Sequence, residues 1–386
     1  MYAVSQRYLD TLARSHEQYS YLEILQDGDV VATLYNELVI DPYTQSKVQN
    51  IGGSISVGPD NIRRSGSVNI VDASGLILPD QISDLLAYVK SEIRPWVGLR
   101  YWDATPEEIR LGTDKEFVPI GTLVITGIQT NYPQITISGY DRMWLLNSFP
   151  SPYVLGSGVQ CDTALIALLS QFIPSNRLDY QIPNTDLTTG KITWDQDTPV
   201  SDAVAKVATT AGWQLYVDPM GTFIAQPEPN ILDDPVVIAY GPGIRSMMMR
   251  PSRTVDASSF YNAVVFTGEP TDGSAPVRGY AEDTNPESIT YVGSVGARIY
   301  FASSPLVKTT AGALLGARTT LLRVLGIPDT ITVPIVPNYA LEGGDIMQVT
   351  DLDQNIDFPL IADSFECQIR AADGGMSVQC RNRVLL

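Results

Sequence analysis

The sequence predicts an α+β fold that is mainly antiparallel β, with two β-rich outer thirds flanking a small α/β module. Three observations carry that reading. Short runs of alternating apolar and polar residues recur through 18–140 and again through 236–383, the period-2 signature of half-buried strands. Residues 197–227 read as helix, strand, turn and strand, one self-contained unit. Stretches rich in Pro, Gly, Ser or acidic residues at 148–158 and 227–235 punctuate the chain. A length of 386 residues exceeds one ordinary core, so the units are taken as 1–147, 148–230 and 231–386.

In the first third, residues 4–15 read as a short helix with Tyr8, Leu9 and Leu12 on one side and Asp10 and Arg14 on the other. Strands follow at 19–26, where Asp27-Gly28 makes a hairpin turn before Val30 and Val31, and at 51–57, 66–71, 97–102, 117–130 and 134–140. Their spacing suits a barrel or a sandwich. Between them, residues 79–92 carry Ile82, Leu85, Leu86 and Val89 at helical spacing, a helix expected to plug or cross this barrel. Thr105-Pro106-Glu107-Glu108 has the form of a capping box, with one solvated turn expected after it.

The middle unit has two helices. Residues 161–172 place Leu165, Leu168, Leu169 and Phe172 inward, with Asp162 as the expected cap. In 197–227, Thr198 can cap a helix and Pro199 suits its first position. Val200, Ala203, Val204, Val207, Ala208 and Ala211 then form one apolar stripe, and Gly212 ends it in the left-handed conformation a C-terminus favours. Trp213, Leu215 and Val217 face one side of the next strand; Asp218-Pro219-Met220-Gly221 is the turn, and 222–226 the return strand.

The last third reads as strands at 236–240, 263–267, 277–280, 289–292, 299–302, 330–336, 346–350, 359–370 and 376–383. One helix interrupts them at 310–325, with Leu314, Leu315, Arg318, Leu321, Leu322 and Leu325 in period and Gly326 and Pro328 closing it. Both outer thirds therefore share one plan, strands plus a single helix.

Composition narrows function. Apolar residues make up 44% of the chain, too many for wholesale disorder. Twenty-five Lys and Arg against 43 Asp and Glu give a net charge of −18, which argues against a phosphate-binding face. Cys161, Cys367 and Cys380 are odd in number and read as free buried thiols, although Cys367 and Cys380 fall on strands that could be neighbours. The N-terminal stretch has no apolar export segment and no run has the length of a membrane span, so synthesis and assembly in a cytoplasm are expected.

Motifs for chemistry are sparse. His16 is the only histidine and is expected to be solvated, which removes a conventional zinc site and most histidine-dependent triads. Gly52-Gly53 and Gly241-Pro242-Gly243 read as turn glycines rather than phosphate loops. Residues 351–357 space oxygen ligands as a calcium loop does, but Ile356 stands where the sharp turn needs glycine and Ala362 where a bidentate glutamate belongs; a hairpin loop is expected. Glu107-Glu108 and Asp233-Asp234 are adjacent acids of the solvated kind, and Trp96, Tyr101 and Trp102 could stack on sugars but read as core or subunit contacts. Tyr outnumbers Phe by 19 to 9, which favours half-buried interface positions. No catalytic, cofactor-binding or metal-ligating residue is assigned.

Several stretches, in order, resemble the tail hub proteins of long-tailed bacteriophages, in particular minor tail proteins from phages of actinobacteria. They are IRRSGSVNIVD at 62–72, SGYDRMW at 138–144, the helix and hairpin of 197–227, SFYNAVVFTG at 259–268 and LEGGDIMQV at 341–349. The resemblance spans essentially the whole chain; residues 105–117 and 174–190 match none of its motifs. It implies two tail-tube-like β-barrel domains flanking the α/β module, in a homotrimer whose six barrels continue a hexameric tube. It also implies a place at the distal end of the virion tail. Partners would be the tail tube or distal tail ring, the tape measure and tip or fibre proteins, with DNA passing through a central channel without specific binding. The excess of acids then gains a role, since acidic lining keeps phosphates from adhering. The alternatives are a β-rich carbohydrate-binding or glycan-degrading protein and, less favoured without a signal peptide, an envelope adhesin.

Overall fold

The computed structural model describes residues 1–40, 47–71, 85–147, 153–189, 191–194, 198–231, 234–243, 246–255, 260–268, 275–304, 307, 309–325, 329–370 and 374–382. The chain opens with the helix Gln6–Leu12, whose first turn is capped by the Ser5 hydroxyl accepting from the Tyr8 N–H. Tyr8 and Leu12 are fully buried, as their spacing requires. The capping box forms as well: Thr105 and Glu108 satisfy each other's backbone N–H groups at the start of Pro106–Leu111, a helix with no buried residue.

Fourteen strands hydrogen-bond into one sheet. Its main path runs Ser252–Val255, Asp329–Ile335, Met376–Arg381, Ile356–Gln368, Ile51–Val57, Arg64–Val71, Gln134–Tyr140, Leu123–Asn131, Ser91–Arg100, Gln18–Gln26 and Asp29–Tyr35. Ile346–Asp351, Ile238–Tyr240 and Lys115–Pro119 attach beside it. The path crosses from the last third to the first where Phe365, Glu366, Cys367 and Gln368 pair antiparallel with Val57, Ser56, Ile55 and Ser54.

This crossing overturns the two closed barrels expected of the outer thirds. Among the described residues no pairing joins Ser252–Val255 to Asp29–Tyr35, so the sheet is open, and neither third closes upon itself. The cause lies in one strand. Ile356–Gln368 is long enough to hold three partners: residues 356–361 pair with Ile346–Asp351, residues 361–364 with Met376–Arg381 and residues 365–368 with Ile51–Val57. A register shift between Ala362 and Ser364, the mark of a bulge that bends a strand, separates the two halves. The core follows the sheet. Leu22, Ile55, Val97 and Ile137 of the first third share one buried cluster with Ile331, Val333, Leu360 and Val378 of the last.

The middle residues have their own core. Helix Cys161–Phe172 packs on helix Val200–Thr210, with Leu165, Leu169, Val200, Val204 and Val207 buried together with Val217 and Phe223 of the hairpin. Gly212 takes φ +75° just past the second helix. Two capping expectations fail: Pro199 occupies the N-cap and Thr198 lies outside the helix, while the 161–172 helix starts from Gln160 without a side-chain cap and leaves Asp162 buried in its first turn.

Other corrections are local. Of the helix expected at 79–92, residues 79–84 lie outside the described residues, 85–90 form turns, and Ser91 and Glu92 begin a strand. Residues 117–130 divide into Lys115–Pro119 and Leu123–Asn131. The strand expected at 289–292 is instead a turn leading into the short helix Val292–Val295. Gly52 and Gly53 lie inside Ile51–Val57 rather than in a turn; Gly53 has φ +110°, and a Cβ there would lie 2.2 Å from the Ser67 carbonyl oxygen. Ala263–Gly268, Val277–Glu282 and Ile299–Ser304 form a separate three-stranded sheet, and helix Thr310–Val324 packs on it through Ala317 and Leu321.

Candidate functional site at the arginine junction

The hairpin turn at 217–221 has carbonyl groups that its own strands do not satisfy, and the large sheet supplies donors for them one after another. Arg64 Nη1 donates to Val217 O at 2.6 Å, Thr122 Oγ1 to Pro219 O at 2.9 Å, Arg94 Nη2 to Met220 O at 2.9 Å and Arg142 Nη1 to Gly221 O at 2.9 Å. Burying such carbonyls without donors would cost about 1–3 kcal/mol each. The arginines thus convert the turn into a fastened plug.

Strand geometry places these donors. Tyr140 pairs with Ser65, so Asp141 arrives beside Arg64 at the end of the adjacent strand. Asp141 Oδ2 accepts the Arg64 N–H at 2.8 Å and Oδ1 the Met143 N–H at 3.0 Å, which starts the helical turn Arg142–Asn147. Arg142 then reaches across to Glu92 in a two-pronged pair at 2.9 and 2.7 Å, both side chains buried, and also donates to Arg177 O at 2.9 Å. Forked geometry of this kind is the strongest that guanidinium and carboxylate offer.

The last third joins through the turn at 341–345. Glu342 pairs with Arg64 Nη2, and Arg63 Nη1 donates to Gly343 O at 3.0 Å. Arg63 Nη2 also donates to Gln214 Oε1 at 3.2 Å, and its guanidinium stacks 3.6 Å above the Tyr216 ring. Three stretches that carry the family resemblance, 62–72, 138–144 and 341–349, therefore meet in space around the middle hairpin.

Burial sets the electrostatics. Asp141 is pushed up to about 6 by desolvation, against the lowering effect of the Arg64 N–H and the Arg64 charge. Desolvation also raises Asp218 and lowers Arg63 and Arg94. Arg64 moves the other way: burial opposes its charge, yet contact with Glu342 and then the field of Asp141 hold it above the ordinary arginine value. Such a cluster holds parts together.

Residues considered for chemistry lie apart from the junction. His16 is half-buried rather than solvated, its Nδ1 facing the Arg14 and Thr11 carbonyl oxygens at 2.8 and 3.2 Å. Glu108 caps its helix and binds Arg7, which holds its carboxyl down at about 2; Glu107 is exposed. Asp233 lies outside the described residues, and Asp234 accepts the Asn230 N–H at 2.7 Å. Trp96 stacks on Tyr21 and donates to Glu23, whereas Trp102 is half exposed under Arg14. In 351–357, Asp351 caps a helical turn, Asn355 is left-handed and Ile356 is fully buried. Among the described residues no three His, Cys, Asp or Glu side chains gather as a metal group would require. The three cysteines are free and buried; Cys380 pairs with Ala362 and Cys367 with Ile55, so the two are not opposite each other. No helix among the described residues is long and apolar enough to cross a membrane.

Sequence reasoning quoted Arg63, Arg64 and Arg142 for family likeness alone and passed over Glu92, Arg94 and Arg177. The available signal was a set of arginines within or beside strongly apolar strands, in a chain where acids greatly outnumber bases.

No protein-family model and no curated protein matches the sequence. Solved structures do. The tail protein from Neisseria meningitidis MC58 superposes with a TM-score of 0.61 at 13% identity, over 94% of this chain and 96% of that one. The 43 kDa tail protein of prophage MuSo2 from Shewanella oneidensis gives 0.60 at 11% identity, over 95% and 98%. Prophage tail protein gp18 from Listeria monocytogenes EGD-e gives 0.53 at 10% identity, over 95% of each chain. The chain therefore has the fold of prophage tail proteins along nearly its whole length.

Proposed function

We propose that this chain is a non-enzymatic structural protein of a phage virion, the hub at the distal end of the tail. It works as a homotrimer that joins the hexameric tail tube to the tail tip and lines part of the DNA ejection channel. The observation that carries the reading is the fold shared with tail proteins across at least 94% of this chain and 95% of each of theirs. Residues 1–147, 148–230 and 231–386 act as its three units, and the arginine junction fixes them relative to one another. The motif resemblance adds the finer attribution to long-tailed phages of actinobacteria.

The open sheet supports assembly. Its two end strands, Asp29–Tyr35 and Ser252–Val255, are exposed; Val30, Val31 and Tyr35 project from one and every residue of the other is accessible. Edges with no partner strand among the described residues attract further strands, and a cyclic arrangement of copies would cover them. Neighbours in the tail are the tube or distal ring, the tape measure and tip or fibre proteins. Part of the −18 charge faces the channel and keeps DNA from adhering.

The test is made on intact tails. Gold-labelled antibody should mark the distal tip, and quantitative mass spectrometry should count three copies per tail; a cross-linked hub should have three times the 42.1 kDa of one chain. Labelling along the tube, six or more copies per tail, or glycan cleavage by the purified chain would defeat the proposal. A neutral or basic lumen in the imaged ring would defeat the charge argument alone.

A further inference from the structure

Val89, in the turn at 85–90 that leads into Ser91–Arg100, has φ +61°, inside the left-handed region. A β-branched residue is an outlier there, because its Cβ crowds the following carbonyl oxygen. Burial does not drive the conformation, since Tyr88 and Val89 are 56% and 44% exposed. Backbone contacts hold it instead. The Val89 N–H donates to Ile125 O at 2.8 Å and the Ser91 N–H to Ala87 O at 2.9 Å. From the middle unit, Arg177 donates through Nη1 to Val89 O at 2.8 Å and through Nη2 to Lys90 O. Arg177 is buried and belongs to the polar stretch 174–190, which matches none of the family motifs. Its corner is closed by the Arg177 N–H donating to Pro174 O at 2.9 Å and is seated against Gly28, where a Cβ would lie 2.1 Å from Asn176 O. The Arg177 carbonyl in turn accepts from Arg142 Nη1, which also donates to Gly221 O. One line of contacts thus runs from the middle hairpin through Arg142 and Arg177 to the strained turn.

We propose that Arg177 and Val89 form a strained latch between the middle and first units. Arg177 holds the turn left-handed only while the middle unit is seated, and Val89 relaxes to negative φ once the guanidinium withdraws. Strain of this kind persists only where the neighbours over-determine it. The left-handed penalty of a residue other than glycine lowers the closed-to-open ratio of the turn by roughly five- to thirtyfold. Two hydrogen bonds from one buried guanidinium offset that penalty, because charge-assisted donors are about twice as strong as neutral ones. The balance is therefore conditional. With the clasp in place, the turn is fixed and delivers Ser91 and Glu92 to their positions opposite Gln26 and Leu25. Without it, the turn is the part of this strand's entry that opens first. Arg177 is a positioning residue, and the stretch 174–190 couples the seating of the middle unit to the sheet of the first.

Hydrogen exchange of the 85–91 segment in the purified chain, followed by mass spectrometry and corrected for intrinsic rates, reads the open fraction of the turn. Val89→Asn introduces a residue that tolerates the left-handed region, so exchange should slow by at least about threefold. Val89→Thr keeps the β-branch and should exchange as wild type does. Arg177→Met removes both donors and should speed exchange by at least about tenfold, while the segment 161–172 exchanges as before. Adding Val89→Asn to Arg177→Met should restore at least about threefold of the lost protection. A crystal structure of the Arg177→Met chain should show Val89 at negative φ. The proposal is overturned if Val89→Asn exchanges as fast as wild type or faster, or if Val89 stays left-handed without the Arg177 side chain. The Val89→Asn reading decides the matter even where Arg177→Met does not fold. None of these readings depends on the stoichiometry or tail position that test the hub assignment.

Discussion

Replacing Arg142 by methionine isolates the contribution of the junction. Methionine preserves much of the stem packing but strands the Glu92 carboxylate, which is 1% exposed, and removes the donor that Arg177 O and Gly221 O share. Deleting one partner of a buried ion pair costs about 3–5 kcal/mol. The two carbonyl hydrogen bonds add roughly 1 kcal/mol each. A loss of about 5 kcal/mol or more is therefore expected, comparable to the whole stability of many domains. The assay is urea unfolding followed by far-ultraviolet circular dichroism, with limited proteolysis reporting release of the 217–221 hairpin. Glu92→Met in the same chain removes the stranded charge, so the double variant should recover about 2 kcal/mol relative to Arg142→Met alone. If Arg142→Met falls within 1 kcal/mol of wild type, or the double variant costs the sum of the two single changes, the junction does not fasten the units as described.

Other perturbations probe separate links. Asp141, raised by burial to about 6, contributes stability that is present below its ordinary value near 4 and is lost as pH rises through 6. Relative to Asp141→Asn, wild type should gain roughly 2 kcal/mol between pH 7 and pH 4, read from urea midpoints; a gain in the opposite direction contradicts the assignment. Val204→Asp places an unpaired carboxylate in the middle core, where the valine is 1% exposed, and should cost at least about 3 kcal/mol and abolish the near-ultraviolet signal of folded aromatic packing; wild-type unfolding would refute the placement. Val31→Lys changes a half-exposed edge residue, so the isolated chain should unfold within about 0.5 kcal/mol of wild type while fewer hubs enter tails. Normal incorporation would remove that edge from the assembly interface.

Local physics made much of the chain legible. Period-3.6 and period-2 patterns, with caps and turns, gave 161–172 as the helix Cys161–Phe172, 134–140 as the strand Gln134–Tyr140 and 213–217 as the strand Trp213–Val217. These signals lie within a few residues of the elements they specify, so they survive without knowledge of the rest of the molecule. The helix expected at 79–92 shows the limit: Leu85, Leu86 and Val89 keep helical spacing but belong to turns, because Ser91 and Glu92 are drawn into a strand paired with Gln26 and Leu25.

Long-range choices were not legible. Whether Ile356–Gln368 closes the last third or crosses to Ile51–Val57 depends on which free edge lies nearby, and residues some 300 positions apart make that pairing. Alternation along a strand specifies which face is buried, not which neighbour it binds. The arginine junction is of the same kind. Sequence by itself determined that this acidic chain is β-rich, with a helix-and-hairpin unit at its centre. Only the tertiary structure joined the outer thirds into one open sheet and closed buried arginines around the 217–221 turn, because unsatisfied carbonyls and charges find their partners only after distant strands have met.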